Sequence, residues 1–75
     1  METKNDLITK FMWFMYNRWN QQESVAIFGD NLGQHIYFKY IELVNERNMD
    51  ILYWYSTLDK TSRMQLINRV EQCYD

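Results

Sequence analysis

The sequence contains no proline, only two glycines and a single cysteine in 75 residues. Without proline, helices are rarely interrupted, so the two glycines become the main local stop signals. One cysteine, Cys73, excludes an internal disulfide and a cysteine-based metal cage. No segment approaches the ~18 continuous apolar residues that a membrane span requires, and the N-terminus lacks the basic start of a signal peptide. We therefore expect a cytoplasmic protein without membrane association.

Charge and motifs give no indication of an enzyme. The net charge of −2 is too small for a strong field of either sign. There is no glycine-rich phosphate loop and no Ser–His–Asp spacing. The one histidine, His35, lies seven residues before Glu42 and could be oriented by it, but no second histidine or nearby cysteine completes a metal site. We expect no catalysis, no metal and no cofactor, with His35 a surface or packing residue and Cys73 a small core residue.

Aromatic residues are abundant instead: three Trp, six Tyr and four Phe make up 17% of the chain. A domain of this size buries only about 60% of the surface that its unfolded chain exposes, so it needs unusually rich packing when it has no disulfide or metal. Each buried ring hides roughly 150–250 Å². We expect one helical domain over residues 1–75.

The first helix is predicted to begin near Thr3 and Asp6 and to extend to Trp19. Six consecutive apolar residues, 11–16, put large side chains on every side of this helix, whereas a surface helix needs only one apolar stripe. A second, short helix is predicted to open with a capping box formed by Asn20 and Glu23. Gly29 then provides its C-cap.

A third helix is predicted from Asp30 or Asn31 to about Arg47, with Asn31 and Gln34 as a further capping box. Two apolar rows follow at helical spacing: Ile36, Tyr40, Leu43 and Tyr37, Ile41, Val44. Gly33 lies in its first turn, where a missing side chain lets another helix approach closely.

Asp50 is predicted to cap a fourth helix over residues 51–55. Aromatic residues 53–55 could also form a strand, but no second strand candidate exists to pair with it. Thr57 or Asp59 is predicted to cap the last helix, from Lys60 to Cys73. Its predicted inward row is Met64, Ile67, Val70 and Tyr74. The chain is therefore predicted to be all-α, a compact bundle of four to five short helices.

The chain has more aromatic side chains than the predicted inward faces contain. The rings that fit the predicted core are Phe11, Phe14, Trp19, Phe28, Tyr40, Trp54 and Tyr74. Trp13, Tyr16, Phe38 and Tyr53 do not fit those faces. Some of the four become buried if their helices touch on more than one side. Those that stay exposed resemble a binding hot spot, rimmed by Lys10 and Arg18.

In size and in lack of catalytic motifs, the chain is similar to small phage and mobile-element proteins that occupy a surface of a host protein, including anti-CRISPR inhibitors. The first hypothesis is therefore a stoichiometric protein-binding module whose anchors are Trp13 and Tyr16, with Phe38 and Tyr53 as further candidates. A homo-oligomeric structural protein is a lesser alternative.

A helix-turn-helix-like nucleic-acid binder is a second hypothesis. Ser62, Gln65 and Arg69 lie along one stripe of the last helix, and residues of these types can contact base edges. Residues 49–75 carry three bases against four acids, however, whereas DNA-binding domains are rich in Lys and Arg. The charge balance therefore favours a protein partner.

Overall fold

Helical spacing of apolar residues is realised as five α-helices in a computed structural model, which describes the backbone of residues 4–73 and the side chains of residues 6–73. The helices are α1 (Lys4–Asn17), α2 (Gln21–Phe28), α3 (Asp30–Tyr40), α4 (Ile51–Ser56) and α5 (Lys60–Cys73). A π-helical segment, Ile41–Glu46, continues α3. There is no strand within residues 4–73. The predicted all-α bundle is confirmed, and the aromatic residues 53–55 are helical.

Both ends of α2 are formed by the predicted residues. The Asn20 side chain accepts a 2.8 Å hydrogen bond from the Glu23 N–H. Gly29 has φ +94°, and its N–H donates to the Val25 carbonyl at 2.8 Å. The Glu23 side chain pairs with Arg69 of α5 instead of closing the capping box. One half of the predicted box therefore forms, and its other member links α2 to α5.

Aspartates cap the last two helices. Asp50 Oδ1 accepts hydrogen bonds from the N–H groups of Leu52 and Tyr53 in the first turn of α4. Asp59 Oδ1 accepts one from the Ser62 N–H at 2.9 Å in the first turn of α5. Of the two candidates for the α5 cap, Asp59 is therefore the one that is used.

The predicted end of the first helix is wrong. α1 ends at Asn17, and Trp19 lies in the connection to α2, where its backbone N–H donates to the Phe14 carbonyl at 3.0 Å. Thr3, the other proposed boundary residue of α1, lies outside the described residues. α3 begins at Asp30, one of the two predicted starts, with Gly29 as its N-cap; it has no side-chain capping bond, so the predicted Asn31–Gln34 box does not form.

α2 and α3 touch at the backbone, as the position of Gly33 predicts. A Cβ atom built on Gly33 would lie 2.5 Å from Val25 Cα and 2.7 Å from the Ser24 carbonyl oxygen. The fully buried Ser24 hydroxyl donates to the Gly33 carbonyl at 2.6 Å. The two helices can pack this closely only because residue 33 has no side chain.

The core is built around aromatic contacts centred on Trp19. Its ring lies 5.7 Å from Tyr40, 5.8 Å from Trp54 and 6.5 Å from Phe14, and Tyr40 meets Trp54 edge to face at 4.9 Å. Pairs of this kind each contribute about 0.5–1.5 kcal/mol beyond the area they bury. Trp19 thus belongs to the core as predicted, although it is not helical.

The inward face of α5 differs from the prediction. Its buried residues are Ser62, Leu66 and Val70, whereas Met64 is 56% exposed; the predicted inward residue Tyr74 lies outside the described range. The i, i+4, i+8 row that faces the core begins with a serine, a polar residue that a hydrophobic pattern places outside. Burial of the Ser62 side chain is possible because its hydroxyl, like its backbone N–H, bonds to the Asp59 carboxylate.

The π-helical segment was not predicted. It carries the third helix on to Glu46, and Arg47 N–H then bonds to the Glu42 carbonyl, five residues back. Asn48 follows with φ +59°, a conformation that asparagine tolerates better than most residues. The chain then turns into the connector that leads to α4.

The helices pack into a body with a radius of gyration of 11.9 Å, close to the value of about 11 Å expected for a compact chain of this length. Of the helices within residues 4–73, none has both the length and the apolar character needed to cross a bilayer.

Replacing Gly33 by alanine tests the α2–α3 contact. The new methyl group would meet backbone atoms, which cannot rotate away, so we expect a loss of about 3 kcal/mol in the free energy of unfolding. Urea denaturation followed by circular dichroism measures it. Gln34→Ala, at the exposed neighbouring position of the same helix, is the control and should change stability by no more than about 0.5 kcal/mol. Equal stability of the two variants would contradict this account.

Because Asp59 caps α5, we expect part of the folding stability to be lost at low pH. Hydrogen bonds from the Ser62 side chain and backbone hold the pKa of the Asp59 carboxyl below its ordinary value. A depressed carboxyl pKa stabilises the fold above the unfolded-state pKa, and that stabilisation is lost as pH falls through the folded-state value. Below about pH 4, the parent should lose stability more steeply than Asp59→Asn, whose cap does not titrate. Thermal unfolding at a series of pH values tests this, and parallel curves would refute it.

Candidate binding surface

The apolar run of α1 supplies both core and surface. Phe11, Phe14 and Met15 are buried on one side of the helix. On the side away from them, Trp13 is 37% and Tyr16 is 73% exposed. The helix is thus not enclosed by the rest of the protein, and two large rings one turn apart stay accessible. The sequence left open whether these two rings are buried, and the structure shows both to be exposed.

A groove of about 340 Å³ lies beside Tyr16, between the C-terminal part of α1, the π-helical segment and the start of α4. We call it the Tyr16 groove. Its lining residues are Met12, Tyr16, Tyr40, Val44, Asn45, Asn48, Met49, Asp50 and Ile51. The groove therefore combines an apolar set, two phenol rings, two amides and one carboxylate.

Three local features bring these side chains together. The π-helical segment supplies Val44 and Asn45. The positive φ of Asn48 turns the chain after this segment, and Asp50 is held in place by its two capping bonds to α4. One wall of the groove is thus set by backbone geometry, and the opposite wall is the outer part of α1 that carries Tyr16.

Burial and neighbouring phenols give Tyr40 an unusual setting. Desolvation raises the pKa of the Tyr40 hydroxyl above its ordinary value, and the charges of Tyr16 and Tyr37 raise it further. Of the residues whose side chains the structure describes, no Lys or Arg lines the groove, and Asp50 is the one charged side chain that does.

The other two predicted anchors are exposed but lie elsewhere. Phe38 is 55% exposed on α3, and its ring packs against Tyr37 at 6.0 Å. Tyr53 is 64% exposed on α4. Neither is among the residues that line the Tyr16 groove. All four rings are exposed, a point that the sequence left open, but only Tyr16 of this set lines the groove, with Trp13 one turn away on the same helix.

The predicted rim charges flank this surface along the chain. Lys10 is half-buried one turn before Trp13, and Arg18 is exposed just after the end of α1. Their positions are compatible with a charged rim around Trp13 and Tyr16. Their part in binding remains a prediction.

The residues of the nucleic-acid hypothesis have different environments. Ser62 is only 6% exposed, so in this fold it cannot contact a base edge. Arg69 Nε bonds to the Glu23 carboxylate at 2.6 Å, which engages its charge within the protein and raises the pKa of the guanidinium. Gln65 is exposed and lines a shallow groove between α2 and α5. The stripe assumed from helical spacing therefore does not exist as one accessible surface.

The isolated histidine and the cysteine show no arrangement for chemistry. His35 is exposed, and Glu42 pairs instead with Lys39 at 3.6 Å and Arg47 at 3.7 Å. The start of the π-helical segment at residue 41 changes the angular spacing on which a seven-residue His–Glu pair depends. No cluster of three or more potential metal ligands occurs among the described residues. Cys73 is half-buried against the core, as expected.

Sequence reasoning missed the groove itself. The connector at residues 48–50 and the Asp50 cap were predicted, but nothing indicated that Tyr16 and Tyr40 would border the same depression. The only local signal was Asn48, a residue type that favours left-handed turns at helix ends.

Truncating Tyr16 should leave the fold intact, whereas truncating a core ring should not. Tyr16→Ala is expected to change the free energy of unfolding by about 0.5 kcal/mol or less, because the ring is largely in solvent. Trp54→Ala removes a ring that is 1% exposed and should cost about 3–5 kcal/mol. Urea titrations compare the two. A large loss for Tyr16→Ala would mean that this side chain is a structural element.

No family model, curated protein or solved structure matches this chain. Its function is therefore argued from the surface just described.

Proposed function

We propose that this protein is a non-enzymatic protein-binding module that acts stoichiometrically through Trp13, Tyr16 and the adjoining Tyr16 groove. The observation that carries the proposal is the placement of a 73% exposed tyrosine ring at the edge of a depression with a partly apolar lining. Tyrosine and tryptophan are the residues most enriched at interface positions that dominate binding energy.

The groove adds apolar contacts and exclusion of water, which an exposed ring alone does not provide. A partner side chain inserted beside Tyr16 would contact Met12 and Met49, whose flexible thioether chains adapt to irregular shapes. It would also displace water from the Tyr16 ring, and hot spots are most effective when surrounding contacts exclude solvent. The arrangement thus favours a protruding side chain on the partner over a flat surface.

A narrower form of the proposal is an inhibitor of phage or mobile-element origin that covers a functional surface of a host protein. Small size, the lack of catalytic motifs and an aromatic surface support it. Identification of the partner decides between this form and other stoichiometric binding roles.

The test begins with the immobilised chain and an extract of its native cells, with captured proteins identified by mass spectrometry. Affinity for the purified partner is then measured by calorimetry for the parent, Trp13→Ala and Tyr16→Ala. Truncation of a hot-spot ring costs about 2 kcal/mol or more, which corresponds to at least about thirtyfold weaker binding.

Met64→Ala is the control, because it removes an exposed apolar side chain outside the groove. It should bind within about fivefold of the parent. If Trp13→Ala and Tyr16→Ala both bind as tightly as the parent, the proposed surface is wrong. Light scattering of the purified protein identifies self-association, in which case a second copy is the partner and the same two variants should dissociate it.

A further inference from the structure

We propose that the Tyr16 groove accepts an arginine side chain of the partner, with its guanidinium against the Tyr16 ring and Asp50. This inference depends on the proposed function and specifies the chemistry of the partner's anchor. Charge complementarity carries it: among the described residues, the groove is lined by one carboxylate and by no cation.

The apolar part of the lining fits the stem of such a side chain. Met12, Val44, Met49 and Ile51 supply hydrocarbon and thioether surface. Arginine buries its methylene stem along apolar surface of this kind while its charged end stays near water. A side chain that is apolar throughout would leave the amides of the groove and Asp50 Oδ2 without partners.

The polar part of the lining consists mainly of groups that can accept from a guanidinium. Asp50 Oδ1 accepts both capping bonds, and no hydrogen bond among the described residues uses Oδ2. The amide oxygens of Asn45 and Asn48 add further acceptors. Tyr16 offers an exposed ring face, on which a planar guanidinium stacks better than an ammonium group.

The partial positive charge at the N-terminus of α4 does not cancel the preference of the groove for a cationic side chain. The N-terminus of a helix carries about half an elementary charge, whereas the Asp50 carboxylate carries a full negative charge at the same place. Arg47, the nearest guanidinium along the chain, pairs with Glu42 at 3.7 Å and is not part of the lining. Burial and the neighbouring Tyr16 and Tyr37 account for the raised pKa of the Tyr40 hydroxyl, and no cation is among its causes.

The experiment is a titration of ¹⁵N-labelled full chain with N-acetyl-arginine amide, followed by amide chemical shifts. The citrulline amide is the matched probe, because it has the same shape and no charge. Saturable shifts are expected at Tyr16, Asn45, Asn48 and Asp50. Arginine should bind about two- to fivefold more tightly than citrulline, the range expected for an exposed ion pair.

Asp50→Asn isolates the charge. Asparagine caps helices as well as aspartate does, so α4 should be retained, which the amide spectrum itself verifies. In this variant the preference for arginine over citrulline should disappear, and Tyr16→Ala should weaken both probes.

Equal binding of the two probes to the parent would overturn the proposal, as would an undiminished arginine preference in Asp50→Asn. Shifts located away from the groove would overturn it as well. Each of these results leaves the protein-binding proposal intact, because that proposal is tested separately by the partner affinities of Trp13→Ala and Tyr16→Ala.

Discussion

The backbone contact between α2 and α3 is the constraint on which the remaining structure depends. With 2.5 Å between Val25 Cα and the position of a Cβ on Gly33, no other residue fits there without moving a helix. The Ser24 hydroxyl closes the contact by bonding to the Gly33 carbonyl, so the two short helices form one unit. The Glu23–Arg69 pair then ties this unit to α5. Because α3 is held in this way, the far end of the same helix brings Tyr40 to Trp19 and Trp54.

A core of this size explains why aromatic rings remain outside. Trp19 occupies the space between α1, α3 and α4, where it contacts Phe14, Tyr40 and Trp54. Its buried indole N–H has no hydrogen-bond partner among the described residues. The free-energy cost of this unpaired donor is offset by the contacts of the ring with three other aromatic rings. Within residues 4–73, no helix encloses the faces of α1 and α4 that are turned away from this centre. Trp13, Tyr16 and Tyr53 therefore stay exposed, although they are as large as the rings in the core.

Local rules predicted the parts of the fold that depend on neighbouring residues in the sequence. The caps at Asn20, Asp50 and Asp59 were predictable because a side-chain oxygen reaches an N–H only two or three residues away. The helical state of Trp19 and the outward position of Ser62 were predicted wrongly because tertiary contacts decide both. Trp19 packs against Phe14, Tyr40 and Trp54 from the connection after α1, and Ser62 is buried because α5 packs through its Ser62–Leu66–Val70 row. Hydrophobic periodicity predicts neither the position of Trp19 outside the helix nor the burial of Ser62.

The candidate site likewise has one part that local sequence predicts and one part that depends on the tertiary structure. Helical geometry placed Trp13 and Tyr16 away from the core row of α1, but it did not decide whether another helix would cover them. The groove beside them depends on a π-helical segment that no propensity scale indicates. Widening of the helix from residue 41 alters where Val44 and Asn45 point, and the turn at Asn48 then returns the chain toward α1. A regular α-helix over these residues would present different side chains to Tyr16. The backbone irregularity thus makes an exposed ring one wall of a groove, in keeping with the frequent occurrence of π-helical segments at functional sites.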